Sequence, residues 1–469
     1  MQKPLLYQLL FLVAFLLSIL PARASHIIGG EISYRPFPND PRRYYVTAKL
    51  YRDRSYNTSP DFANEITLYC RKSNCATADP DNFTANLGRT SSTTIGPTTD
   101  LRVFSGEVTL PSLGNWTLSL AEENRSYGIF NLSESHNYGM YVDAELRLDP
   151  SIGAANTSPV FTSDIVPYIS GNQFHRFSFS TFDADGDSLV YQMISPQGAS
   201  RVAPCPRAIP VTPSPHFTIN PATGELSTGS FTLVLGYYVM AARVEEYRRV
   251  SGQWIKIGSV MRDMMYRTWA GANQNPAFTA LAVGNTSHPL DQTIRVNPGR
   301  KLELKLDAAD PNSGSVLRFS SEATAILPGL SLQSLPNNQV RLTWNVPATL
   351  PLGRYRIPVT VSDNTSPTNG TEVRTLTILV TSQILATTSF RLPTQVAAYP
   401  TPFREQVQFQ LSQPGSRSLL VVDGLGRAVA QLTSRPDGSV TWRPTPTLAP
   451  GLYLARTADG QEQARLLRE

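Results

Sequence analysis

Charge is what this sequence has least of. Only 16% of the 469 residues are Asp, Glu, Lys or Arg, against about 25% in ordinary globular domains. Lysine is scarcer still, with six (3, 49, 72, 256, 301 and 305) among 41 basic residues. Long amphipathic helices draw on Glu, Lys, Ala and Leu, so the composition excludes an all-α protein or a coiled coil. The net charge of +5 does not make a nucleic-acid surface: Lys3 and Arg23 stand in a leader, and the other bases are scattered, with no run of four to follow a phosphate backbone. Five dispersed histidines and three cysteines offer no zinc-ligand spacing. After the first twenty residues no apolar stretch reaches the roughly 18 residues of a membrane-spanning helix. The longest, 231–242, is interrupted by Thr232, Gly236 and two tyrosines.

Turn formers and aromatics are abundant instead: 37 Pro and 30 Gly, with 19 Tyr, 19 Phe and 5 Trp to build cores. Residues 1–24 read as a secretory leader, with Lys3 before the apolar run Leu5–Leu20 and a small-x-small site at Ala22-Arg23-Ala24. The chain from about Ser25 is then exported, secreted or held at the outer cell surface, with no membrane span left. In an oxidising compartment Cys70 and Cys75, five residues apart, are expected to close a small disulfide loop, which leaves Cys205 without a partner.

Short alternating runs follow. Glu31–Arg35, Tyr45–Tyr51, Glu65–Tyr69, Trp116–Leu120 and Tyr141–Leu148 have a period near two between Asn/Pro/Gly/Asp clusters, which predicts a β-sandwich over 25–150. Asn156-Thr-Ser-Pro-Val-Phe161 opens a second unit, 156–270, and Asn273-Gln-Asn-Pro-Ala-Phe278 repeats that opening for a third, 273–381. Each opening is followed by an acidic turn, Asp183-Ala-Asp-Gly-Asp187 and then Asp307-Ala-Ala-Asp310. A linker, 381–393, leads to a short β unit at 395–469.

The N-x-x-P-x-F openings, the acidic turns and the Thr223-Gly224 turn resemble cadherin-like and immunoglobulin-like bacterial domains. Ser25-His-Ile-Ile-Gly-Gly-Glu-Ile-Ser-Tyr34 and Ala48–Asp53 resemble gliding-motility-associated surface proteins of the Bacteroidetes type. The end of the chain is similar to the type IX secretion sorting domain. Tyr399-Pro400-Thr-Pro402-Phe403, then Asp423-x-x-Gly426-Arg427, then Gly451-x-Tyr453 and a basic-apolar end occur in the family's order, with Thr401 where Asn is usual. These resemblances imply tandem immunoglobulin/cadherin-like β-sandwiches followed by a small C-terminal β-sandwich sorting domain, all-β throughout. They also imply a type IX translocon and sortase as partners.

Catalytic look-alikes do not assemble. Gly186-Asp-Ser-Leu189 spells the start of a hydrolase motif but lacks its Asp-x-x-His. Ile27-Ile-Gly-Gly30 mimics an activated trypsin-like start without the other triad blocks. Glu245 and Glu246 are adjacent on a strand, so they point to opposite faces: one is a surface salt-bridging residue, the other its core neighbour. The acidic turns keep two readings. Asp183, Asp185 and Asp187, with Asp307 and Asp310, are the hard oxygen ligands calcium takes. In the cadherin-like arrangement Asp183 and Asp185 would face the linker around Asn156, and Asp307 and Asp310 would face Asn273 and Asn275. The other reading is a set of Asx turns and no cofactor. The function expected is non-enzymatic: an exported protein with an adhesion or gliding-associated envelope role, bound to a surface protein or glycan. The alternative is a glycan-binding accessory module of a degradative system.

Overall fold

The computed structural model describes residues 27–54, 61–72, 75, 78–95, 98–164, 168–170, 173–212, 217–229, 234–365, 369–382, 394–424 and 426–469. The leader expected over 1–24 lies outside them. The protein is all-β: among the described residues there are strands and three short 3-10 turns, and no α-helix. No helix among them is long and apolar enough to cross a membrane.

The alternating runs of the N-terminal third become β1 (Ile27–Phe37), β2 (Asp40–Asp53), β3 (Glu65–Lys72), β4 (Phe83–Thr94), β5 (Thr99–Thr109), β6 (Gly114–Glu122) and β7 (Met140–Leu148). They pair in the order β1-β2-β5-β4-β3-β6-β7. After them come β8 (Val160–Phe161), β9 (Ile169–Ser170), β10 (His175–Ser178), β11 (Thr181–Phe182), β12 (Ser188–Ile194), β13 (Gln197–Ser200), β14 (Ala203–Ala208), β15 (Phe217–Ile219) and β16 (Glu225–Thr228). The long hairpin β17 (Gly236–Val250) and β18 (Gln253–Trp269) ends this part.

That hairpin overturns the boundary expected between 150 and 156. One edge of β18 is paired along its length with β17. Its other edge takes β1 at Arg262–Met264 and β7 at Gly258–Val260. Both ends of the seven-stranded sheet therefore meet on one strand, and the eight strands form a closed ring. The ring's residues and those of the next hundred share a single apolar core, from Ile27 and Tyr44 to Phe177, Tyr191 and Tyr266. Gly29 and Gly30 make the closure possible. A Cβ on Gly29 would sit 2.7 Å from the Asp263 carbonyl oxygen, and one on Gly30 would sit 2.7 Å from Met140. The protease-like Ile-Ile-Gly-Gly is thus a seam between β1 and β18.

Charges are enclosed at the seam. Arg125 makes a two-pronged pair with Asp263, Nη1 to Oδ1 at 2.8 Å and Nη2 to Oδ2 at 2.6 Å, and both side chains are buried. Its remaining N–H groups donate to the carbonyls of Gly139 and Gln197. Arg262 pairs with Glu31, donates to the Ser163 carbonyl at 2.6 Å, and lies 4.2 Å from the Phe161 ring centroid.

The cysteines pair differently from the expectation. Cys75 bonds Cys205 on β14, and Cys70 is a free thiol. Cys70 shares the inward parity of Leu68 on β3 and stands opposite Phe83, so its side chain is committed to the core. Five residues of separation do not make the two Cβ vectors converge. Burial pushes the Cys70 thiol up to about 12.

Residues 277–380 form a two-sheet sandwich. Its strands are β19 (Ala277–Val283), β20 (Thr286–His288), β21 (Ile294–Val296), β22 (Lys301–Ala309), β23 (Arg318–Ser320), β24 (Leu330–Leu335), β25 (Gln339–Asn345), β26 (Gly353–Ser362) and β27 (Thr371–Val380). The sheet β20-β19-β22-β25-β24 faces β21-β27-β26-β23 across Leu304, Leu342, Trp344, Ile357 and Ile378. It packs on the preceding part: Phe182 lies 5.8 Å from Tyr355, and Arg176 pairs with Glu372 at 2.8 Å.

The chain divides into two compact units, 1–384 and 385–469. The second holds β28 (Thr394–Val396), β29 (Ala398–Tyr399), β30 (Val407–Gln410), β31 (Ser418–Val422), β32 (Ala428–Thr433), β33 (Ser439–Trp442), β34 (Gly451–Thr457) and β35 (Glu462–Arg468). Its two sheets, β28-β35-β34-β31-β32 and β29-β30-β33, enclose a core of their own around Phe403, Val421, Trp442 and Leu466.

Candidate functional site: a buried carboxylate cluster

The first acidic turn links β11 to β12, and β12 pairs with β17 so that Leu189 stands opposite Glu246. Alternation on β17 sends Glu245 outward, where it pairs with Lys256 at 3.0 Å, and Glu246 inward, fully buried. Gly186, at φ +77°, turns the loop back over the strand, and Asp183 and Asp187 converge on Glu246. One oxygen from each of the three lies within 4.8 Å of the others.

Each acid has a different supporting set. Asp187 accepts from Arg248, Nη2 to Oδ2 at 2.6 Å, and Arg248 also donates to the side-chain oxygen of Asn156 at 2.8 Å. Asp185 accepts the Thr157 backbone N–H at 2.7 Å and stays outside the cluster. Asn156 donates its amide to Glu246 and lies near the Tyr34 hydroxyl. Asp183 accepts the Asp187 backbone N–H at 3.1 Å. One oxygen of Asp183 and one of Glu246 are buried without a hydrogen-bond partner. Burial pushes Asp183 up to about 6, and burial together with the Asp183 charge pushes Glu246 well up from the ordinary carboxylate range. Two buried carboxyls side by side cannot both ionise cheaply, so the pair holds a proton to higher pH than a solvated acid does.

The loop does face the Asn156 opening, as the cadherin-like resemblance implies. The donor set does not fit that family's calcium site. Calcium takes six to eight oxygens, whereas Asn156 turns its N–H toward the cluster. Arg248 supplies positive charge to Asp187, and Asp185 is engaged by backbone. The second group departs further. Asn273 donates to Asp363 at 2.7 Å, and Asn275 donates to the Phe174 carbonyl and contacts His175. Asp310 caps the Asn312 N–H at 2.7 Å, while Asp307 sits on β22 opposite Gln339. The equivalent of Glu246 at this opening is Asp363, just past β26. In each unit the Asn of N-x-x-P donates to a buried acid at the penultimate strand.

A prediction follows from the raised carboxyls. A folded-state value above the unfolded one contributes stability that is complete below the unfolded value and lost as pH rises through the folded value. Between roughly pH 4 and 6 the large unit should therefore lose on the order of 2–3 kcal/mol at this cluster. Asp183→Asn, which stays neutral, should flatten that slope and melt higher than the parent at pH 7. Calcium should shift neither melting curve. Parallel melts from pH 4 to 8, with calcium and with chelator, check this.

The residues of the C-terminal motif blocks are brought together as framework. Phe403 and Tyr453 flank Trp442, with ring centroids 5.7 and 5.5 Å away. Asp423 accepts from the Arg427 backbone and guanidinium at 2.9 and 2.8 Å across a turn in which Gly426 has φ +80°. The Tyr453 hydroxyl donates to the Ala449 carbonyl at 2.6 Å, and Gly451 opens β34 at φ +153°. Pro400 and Pro402 bracket the turn after the exposed Tyr399. Trp442, which no motif block contains, is the hub on which Phe403 and Tyr453 pack.

No family model matches the chain, and no curated protein matches it. Solved structures do. Zebrafish RET cadherin-like domains 1 to 4 match at 11% identity over 95% of this chain and 97% of that one, with a TM-score of 0.16. Protocadherin gamma B2 extracellular cadherin domains 3–6 match at 12% over 66% and 73%, with a TM-score of 0.17. Titin domains A168–A170 match at 10% over 66% and 99%, with a TM-score of 0.16. Likeness at this level carries no argument about role, and the all-β class rests on the strand pairing itself.

Proposed function

We propose that this chain is a non-enzymatic exported protein, secreted or displayed at the outer cell surface, with an adhesion or gliding-associated role. The observation that carries the reading is the Cys75–Cys205 bond, because a structural disulfide belongs to an oxidising compartment outside the cytosol. The state of the acidic residues supports it: the carboxylates that resemble a reactive site are held by Arg248, Thr157 and Asn156. Ser188 of the hydrolase-like motif is a strand residue opposite Tyr247. In this reading 395–469 is the export address, read by a type IX translocon and sortase. Deleting it should strand a folded large unit in the periplasm, since each unit has its own core. Fractionation of cells expressing the truncated chain tests this, and normal surface display would sink the address reading.

Glycan binding is the second reading, favoured by exposed aromatics at one end of the ring. Tyr127 is 62% exposed and tilted against His136, with ring centroids 4.9 Å apart, and Phe130 is 55% exposed and packed on Tyr238. Aromatic faces of this kind can serve as binding platforms. If they do, the full chain should bind on a glycan array, and Tyr127→Ala with Phe130→Ala should lower that binding at least about tenfold. A blank array would leave the first reading alone.

A further inference from the structure

The C-terminal unit has one outward sheet face that is apolar where solvent should meet it. β31 reads Ser-Leu-Leu-Val-Val, β34 runs Leu-Tyr-Leu-Ala over 452–455, and β35 carries Leu466 and Leu467 side by side, so each strand has apolar residues of both parities. Strands apolar on both faces are normally covered on both. Here Leu419, Val421, Tyr453, Ala455, Ala464 and Leu466 line the core. The other parity is open: Leu420 is 45% exposed, Leu452 56% and Leu467 42%.

Register makes these residues one patch. Leu467 pairs with Leu452, Arg465 with Leu454, and Gln463 with Arg456. Across the next ladder Leu454 pairs with Val422, and Arg456 with Leu420. The apolar residues run unbroken over three strands, with Arg456 and Arg465 set diagonally beside them. Neither arginine has an ion-pair partner among the described residues, and no outward strand position of this face holds an acid. The opposite sheet is ordinary solvent surface, with Gln408, Gln410 and Thr441 outward.

We propose that this face docks a partner protein whose surface has an apolar centre and a carboxylate rim. An apolar centre excludes water while opposed charge at its border sets orientation and partner choice. Two arginines fall short of the four to eight bases that hold a segment on an anionic membrane. A second copy would bring the same basic border against itself. The identity of the partner as part of the export machinery rests on the address reading above, whereas the docking surface does not.

The test uses full-length chains in cells that export the parent. Arg456→Glu with Arg465→Glu, and separately Leu452→Gln with Leu467→Gln, should each cut the exported fraction by about tenfold or more. Gln408→Ala with Thr441→Ala on the opposite sheet should export as the parent does. All sites are exposed, and unchanged melting of each purified variant confirms folding. A photo-reactive benzoylphenylalanine at position 452 should cross-link to an Asp/Glu-rich protein surface, and the charge reversal should abolish the adduct. If deleting 395–469 stops export while both face variants export normally, the address stands and this proposal is overturned. If the deletion leaves export intact, the address reading falls and the cross-link decides. An acidic protein adduct supports the proposal. An adduct to a second copy, or arginine-dependent pelleting with phosphatidylglycerol vesicles, overturns it.

Discussion

Asp263→Ala should destabilise the large unit by about 3–5 kcal/mol, because it strands the buried Arg125 guanidinium without its counter-charge. Asp263 is fully buried on β18, and its two oxygens hold Arg125 at 2.8 and 2.6 Å. The remaining Arg125 donors reach the Gly139 and Gln197 carbonyls, so they orient the cation without neutralising it. Removing both charges together, as Arg125→Met with Asp263→Leu, should cost much less than Asp263→Ala alone. Urea unfolding of the three chains decides it. A loss below about 1 kcal/mol for Asp263→Ala would mean the pair is open to solvent.

Opening the Cys75–Cys205 bond should rank beside it. The bond joins residues 130 apart in sequence, and in the chain-entropy model a loop of about that length restricts the unfolded chain by nearly 5 kcal/mol. Removal of native disulfides costs about 2–5 kcal/mol, which is the loss expected for Cys75→Ser with Cys205→Ser. A non-reducing peptide map should link Cys75 to Cys205. Cys70 should alkylate only after unfolding, since it is buried and its thiol is pushed up to about 12. A Cys70–Cys75 peptide in that map would refute the pairing.

Alternation made the strands legible. Tyr45–Tyr51 and Tyr141–Leu148 became β2 and β7 because every second residue faces a core. What alternation does not encode is the partner. Nothing in the period of β18 says that its free edge is shared between β1 and β7, since the first pairing joins residues over two hundred positions apart and the second residues over one hundred apart. The cysteine expectation failed for a related reason: nearness in sequence does not tell which way a Cβ points. Within the cluster, Asp183 and Asp187 were found from their turn, and Asp185 was drawn in by spacing alone. Glu246 was readable from parity, as the core neighbour of an outward Glu245. The motif blocks at the end of the chain were legible because they are packing and turn residues, whereas their hub Trp442 stands alone.

The closed ring also sets an order of events. β1 begins at Ile27, and the strand that covers its edge ends at Trp269. Until that hairpin is available, β1 and β7 both present unpaired backbone, the kind of edge that recruits other strands. A chain emerging from its N-terminus therefore cannot finish its first core early, and pairings this distant in sequence form slowly. On the export reading proposed above, that delay would be an advantage: the element that locks the ring arrives late enough to leave the preceding segment loose in transit.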